Sequence, residues 1–418
     1  MRRSIPTSVP RDRGGPRPDC DRPIGHRHPR SPPIHERGTI RAVGHGGAAP
    51  PGIQSIVRGV DVPQTWMRLG AGIATFAIVA VAGMVLLDFS GPEQTTAWAI
   101  VTVASLLAGV GVFALVEWLQ TRHLESITRQ FDTRTIVLMP VAIALNIVLG
   151  QAVGQAIKVP IYLDSIGTIL VAALAGPFAG ALTGLLSNLL WTYVVPPPFQ
   201  SPYAAPFAIV AVVIGLLAGM FARAGFLRPR PHARGRELVI GAVVAIGLIV
   251  LMATLAVSGY TAIQGGTGLT PQSSDTLFLV LGWVALILVV GTAVGLLYLL
   301  FVRRDLSAAY VVVAGVLTGL VAAVIAAPIS ANLFGGVTGA GTDFLVAALR
   351  QGGADVAAAT LGQSFISDPI DKVTTFFVVY LILGAMALRT KARFPNGEAL
   401  ITYDDRLDPT GSALGATR

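Results

Sequence analysis

Residues 66–395 alternate long apolar runs with short polar links, and the runs near 68–88, 97–119, 135–157, 205–223, 237–258, 277–302, 308–330 and 372–389 each predict one helix. Each approaches or exceeds the roughly 20 residues that cross a hydrocarbon core. The run 166–194 is too long for one crossing and carries Gly176-Pro177 in its middle, so it predicts two short helices around a turn. The pattern therefore predicts an all-α, polytopic helical membrane protein of about ten transmembrane segments. Two polar, glycine-bearing stretches interrupt it. One is Lys158-Val-Pro160-Ile-Tyr162-Leu-Asp164-Ser165-Ile-Gly167-Thr168. The other is Asn332-Leu-Phe-Gly335-Gly336-Val-Thr338-Gly339-Ala-Gly341-Thr342-Asp343, followed by Asp368-Pro369-Ile-Asp371-Lys372. Irregular backbone at membrane depth is tolerated where protein buries it or a cavity hydrates it, so the breaks point to a small-molecule site within the bundle.

Composition agrees. Apolar residues make up 53% and charged residues 12% of the chain, with a mean hydropathy of +0.69; soluble domains average about 25% charged. The charges are placed asymmetrically. Residues 1–65 hold eleven arginines against five acids, and the links 120–134, 222–236 and 303–305 and the segment after 389 are basic. The links 88–96, 195–204, 259–276 and 331–371 are poor in basic residues. Short basic loops stay cytoplasmic, which orients ten spans with both termini cytoplasmic in a cell membrane. The net charge of +8 then reflects topology. No Lys/Arg stripe interleaved with aromatics suggests a nucleic-acid partner.

Residues 1–65 lack apolar periodicity and predict a disordered basic tail without a signal peptide. Met67, at the edge of the first span, is a candidate start. Residues 66–134 form an accessory hairpin, 224–305 an inserted hairpin, and 396–418 a cytoplasmic tail without globular pattern. A weak echo relates Gln264-Gly265-Gly266-Thr267-Gly268 before Asp275 to the glycine run before Asp343. The lone Cys20 excludes an intrachain disulfide, the tail histidines are irregularly spaced, and no metal or cofactor is expected. The spans hold no histidine and no nucleophile–base arrangement, so no catalytic residue is expected.

Candidate binding residues divide into groups, each with a plainer reading beside it. Asn146, Gln151 and Gln155 are polar positions within a span; they face either a neighbouring helix or a ligand. Gly150-x-x-x-Gly154 and Ala152-x-x-x-Ala156 let helices approach closely, either within the bundle or against a partner subunit. Trp191, Tyr193, Phe199 and Tyr203 form either an interfacial belt or a stacking surface, with Asn188 one turn inside as a hydrogen-bonding group. Asp164 and Asp368 read as helix N-caps, with Pro369 at a first helical position and Asp371 in the first turn. Asp371 and Lys372 adjoin, so only one is expected to face a site. The run Asn332–Thr342 is no phosphate loop, since no Gly-Lys-Ser/Thr follows; with Asn332, Gly335, Gly336 and Thr338 as binding candidates it reads either as backbone close to a ligand or a hinge at the pocket mouth, or as a loop turn.

The pattern Pro160-x-x-x-Asp164-x-Ile166-Gly167-Thr168 followed by Gly176-Pro177-x-x-Gly180 resembles the substrate-binding S components of energy-coupling factor (ECF) vitamin transporters. The stretch Ala327-Pro328-Ile329 to Asp368-Pro369-Ile370-Asp371-Lys372 resembles the C-terminal part of that family. The likeness covers about 135–223 and 308–395, which makes 135–223 core helices 1–4 and 306–395 core helices 5–6. It implies a six-helix core that binds a vitamin-like small molecule from outside. It also implies docking, through Gly150, Ala152, Gly154 and Ala156, on a coupling transmembrane subunit driven by two ABC ATPases. Beside that resemblance, Tyr162, Asn188, Asp371 and Lys372 stand as substrate-binding candidates on their own chemistry. The hairpins at 66–134 and 224–305 depart from that plan. A membrane sensor or a stand-alone binding protein is the alternative.

Overall fold

The computed structural model describes residues 62–86, 94–156, 161–197, 199–231, 235–264 and 276–402. The tail 1–61, Lys158-Val-Pro160, the glycine run 265–268 with Asp275, and residues 403–418 lie outside the described residues.

All regular structure among the described residues is helical. In chain order the α-helices are α1 (Val62–Leu86), α2 (Thr95–Thr121), α3 (Glu125–Thr128), α4 (Thr133–Ala156), α5 (Ile166–Ala175), α6 (Pro177–Tyr193), α7 (Ala208–Arg223), α8 (Gly235–Gln264), α9 (Thr276–Phe301), α10 (Ser307–Phe334), α11 (Asp343–Gln351), α12 (Val356–Ala385) and α13 (Leu388–Ala392). Among the described residues, five helices are long and apolar enough to cross a membrane: Met67–Leu86, Thr96–Thr121, Thr133–Gln151, Ala205–Arg223 and Ser307–Phe334. This is a helical membrane protein.

The predicted split of 166–194 is present. Helix α5 ends at Gly176, whose φ of +125° is open to glycine and strained for a side chain, and Pro177 opens α6. The free N–H groups at the start of α6 find a distant partner, since Phe178 and Ala179 donate to Gln130 Oε1 at 2.9 and 3.4 Å. At the same end, Asn396 donates through N–H and Nδ2 to the carbonyls of Leu174 and Ala173, each at 2.8 Å. Residues 397–401 fold onto the bundle, with Leu400 and Ile401 buried. The beginning of the expected tail is therefore part of the fold, because it satisfies the last carbonyls of a buried helix.

Small residues set the central contacts. Gly215 and Gly219 of α7 lie against Gly180-Ala181 and Pro177 of α6, and Gly315 and Gly319 of α10 lie against Val373 and Pro369 of α12. A Cβ at Gly319 would stand 2.5 Å from the Pro369 Cα. In lipid, such close backbone packing replaces the hydrophobic drive that assembles soluble bundles. Helices α1 and α2 pack together through Gly72 and Gly109 and touch α6 through the Phe113–Phe178 ring pair. Helix α8 meets α10 at Gly241, and α9 meets α12 at Gly295.

One boundary differs from expectation. The helix expected from residue 372 begins at Val356, where the Asp355 carboxylate accepts from the Ala358 N–H at 2.7 Å. Asp355, not Asp368, is the N-cap, and Asp368, Pro369 and Asp371 lie mid-helix.

Candidate functional site

On α12 the polar residues Gln363, Ser364, Ser367, Asp368, Asp371 and Lys372 recur at helical spacing, and all are buried. They share the face turned toward the loop before α5. The Lys372 ammonium donates to Ser165 Oγ at 2.8 Å, pairs with the Asp371 carboxylate, and stands 3.7 Å from Asp164 Oδ1. Asp371 Oδ1 accepts from the N–H groups of Tyr162 and Leu163 at 3.1 and 2.7 Å. Leu163 has a φ of +52°, uncommon for a branched residue, and these bonds hold it there. Asp371 and Lys372 thus both serve the same junction. Of the two, Lys372 lines the cavity described next and Asp371 does not, the lysine head lying back beside the neighbouring carboxylate. Asp164 is likewise not the cap of α5, whose N-cap position is Ser165; its carboxylate turns toward Lys372.

This junction floors a cavity of about 90 Å³. Asp164, Ser165, Thr168, Ser187, Asn188, Asp368 and Lys372 form its polar side, and Phe207, Val210, Ile214, Ala322 and Ala326 its apolar side. A second chamber of about 150 Å³ adjoins it, sharing Tyr162, Asp164, Asn188, Phe207 and Thr338, and reaching Gly150, Gln151, Trp191 and Tyr203. The inner chamber holds roughly six to nine waters' worth of space. That space suits a small metabolite.

The loop over the cavity is tied from both sides. Tyr162 Oη and Thr342 Oγ1 are 2.7 Å apart; burial, chiefly, and Asp368 raise the Tyr162 phenol above its usual range, so the hydroxyl keeps its proton. Asp343 accepts from the N–H of Thr338 at 3.0 Å and of Gly339 at 2.7 Å. Burial pushes the Asp343 carboxyl up, and the Thr338 and Gly339 donors oppose that shift.

The predicted residues now separate. Tyr162, Asp164, Asn188, Thr338 and Lys372 line the inner chamber or the shared wall, and Gln151, Trp191 and Tyr203 line the outer one. Trp191 is buried and donates through Nε1 to the Phe199 carbonyl at 2.9 Å, while Tyr193 and Phe199 are exposed. Asn146 is not a ligand group. Its Nδ2 donates to Thr168 and Ser187, each at 2.9 Å, and its Oδ1 accepts from the Gly167 N–H at 2.7 Å, so its amide is consumed in joining α4 to α5 and α6. Asp371 acts beneath the cavity. Asn332 and Gly335 are exposed, and Gly335 ends α10 in the left-handed region. Gly336 packs toward Val346 and Thr360. Gly150 is buried, its Cα face 2.5 Å from the Trp191 ring for an added Cβ, so it serves the cavity wall and not an outer docking surface. The side chains of Ala152, Gly154, Gln155 and Ala156 lie outside the described residues.

No family model, curated protein or solved structure matches this chain. Its chemistry therefore rests on the cavity itself.

Sequence reasoning missed Gln363, Ser364, Ser165, Thr168 and Ser187 as lining residues, and assigned Asp368 to a cap. The signal was present in the spacing 363, 364, 367, 368, 371, 372, a helical face hidden by treating 331–371 as a loop.

Proposed function

We propose that the chain is the membrane-embedded substrate-binding component of an ECF-type importer, capturing a vitamin-like small molecule from outside. The carrying observation is that the two interrupted stretches of sequence meet at one cavity, through Lys372 and Ser165. Orientation supports the reading. The cavity lies at the starts of α5 and α7 and the ends of α6 and α10, whereas Arg134, Arg223 and Arg228 belong to the opposite ends, where Arg134 and Arg228 hold the carbonyls of Arg393 and Ala399. With basic ends cytoplasmic, the cavity opens outward. In this reading the chain makes ten spans of a cell membrane with both termini cytoplasmic. A six-helix core of α4–α7, α10 and α12 holds the substrate, and it passes the substrate to a coupling transmembrane subunit and two ABC ATPases without chemical change.

One observation favours a second reading, a sensor or stand-alone binder. Gly150 faces Trp191 and is removed from any docking surface. An affinity pull-down of the tagged chain from solubilised membranes of its own cells separates the two. Recovery of two ATPases and a large membrane subunit is expected. Their absence, while a control S component keeps its partners, refutes import.

A further inference from the structure

Around and beneath the cavity three aspartates, Asp164, Asp368 and Asp371, are gathered near one ammonium, Lys372. Asp371 is satisfied by Lys372 and two backbone N–H groups. Asp368 is 6% exposed and lines the cavity; among the described residues its carboxyl accepts one hydrogen bond, from Ser367 Oγ at 3.3 Å, and no cation lies within ion-pairing distance. An unpaired carboxylate in such surroundings is costly.

A second, independent observation comes from the facing helix. Asn188 is also 6% exposed and lines both chambers. No protein group among the described residues hydrogen-bonds its amide, which leaves a donor and an acceptor directed at the space. Buried amides are nearly always paired, so an amide left open toward a cavity points to a ligand. The opposite wall, from Phe207 to Ala326, is apolar.

We infer that the cavity selects a small organic monocation, an amine with a compact apolar or flat body. Its ammonium pairs with Asp368, its body lies on the Val210–Ile214 wall, and Asn188 bonds a polar atom of it. No three His, Cys, Asp or Glu side chains among the described residues converge as a metal would require, which favours an organic cation over a coordinated metal. Lys372 is spoken for by Asp371 and Ser165, so it offers an anionic ligand little. This inference rests on the binding reading above and assigns its substrate class.

The test uses the purified full chain in detergent and three ring compounds of matched size: benzylamine, benzyl alcohol and benzoate, each titrated into the millimolar range while thermal unfolding is followed. Benzylamine is expected to stabilise the protein and to bind about tenfold more tightly than the alcohol, the ratio given by one charge-assisted hydrogen bond. In Asp368→Asn, an isosteric change, that preference disappears. Equal or tighter binding of benzoate or benzyl alcohol by the unaltered protein overturns the inference without any variant, and so does no stabilisation by any of the three. The pull-down keeps the two failures apart. Recovered ATPases with a benzoate preference refute the cation alone, and an amine preference without ATPases refutes import alone.

Discussion

Helices α1 and α2 have mean hydropathies of 2.3 and 2.5 over their apolar spans, and α7 and α10 have 2.4 each. By that measure the four are the same. Yet the most apolar window of α1 is 17% buried and that of α2 33%, against 61% in both α7 and α10. Hydropathy places a helix in the bilayer, where lipid and protein are equally apolar, and says nothing about its neighbours. What separates the pairs is the residues between the aliphatic ones. Gly72 and Gly109 bring α1 and α2 against each other, whereas Gly215 and Gly219 of α7 and Gly315 and Gly319 of α10 bring those helices against α6 and α12, whose polar faces can be satisfied only inside the bundle. Helices α1 and α2 share one buried ion pair, Arg68–Glu117 at 3.8 Å, with Glu117 also accepting from the Ser126 N–H at 2.9 Å. That pair fastens a hairpin. The Lys372 cluster differs because Asp368 beside it keeps unspent capacity toward a cavity.

The contrast can be broken, with the largest effect at Lys372. Lys372→Met leaves Asp371 buried without its cation and is expected to cost about 3–5 kcal/mol. Adding Asp371→Asn should recover part of that loss in thermal unfolding, and no recovery would detach the pair from the stability of the centre. Next is Gly319→Leu, whose side chain meets the Pro369 backbone; a loss of about 3 kcal/mol is expected from overpacking. Gly70→Leu on α1, where nothing stands within 4 Å, should leave the unfolding temperature unchanged. Equal responses would mean that the hairpin is packed as tightly as the centre. Asn146→Leu strands Thr168, Ser187 and the Gly167 N–H and should destabilise by about 1–3 kcal/mol. Asn188→Leu should cost as little stability as Gly70→Leu, since no group among the described residues hydrogen-bonds its amide. Its unfolding should match the unaltered chain while substrate binding falls several-fold, and Tyr203→Ala should weaken binding similarly. Full affinity in both variants would remove this cavity from the function.

Much of the helical layout was legible because apolar length is a local property. The Gly176-Pro177 turn was legible for the same reason, as one residue's backbone freedom and another's missing N–H act where they stand. The Asp368-Pro369 pair misled because an acid before proline looks like a helix start. In the folded chain Asp355 makes that start and the helix runs through Pro369. Asn146 misled in another way, since a polar residue in a span announces only that it needs partners. Whether those partners are Thr168, Ser187 and Gly167 or a ligand is decided by helices that lie elsewhere in the chain.

The amino-acid sequence by itself determined that this is an apolar helical protein of the membrane, that the run 166–194 breaks at Gly176-Pro177, and which polar residues need company, because each of these follows from short-range chemistry and solvent preference. Only the tertiary structure decided that Lys372 meets Ser165, that Asn146 is spent on packing, and that Asp368 and Asn188 face the same space. Those outcomes depend on which helices lie side by side, and in a bilayer that choice is made by the fit of small and polar surfaces across distant segments rather than by hydrophobicity along any one of them.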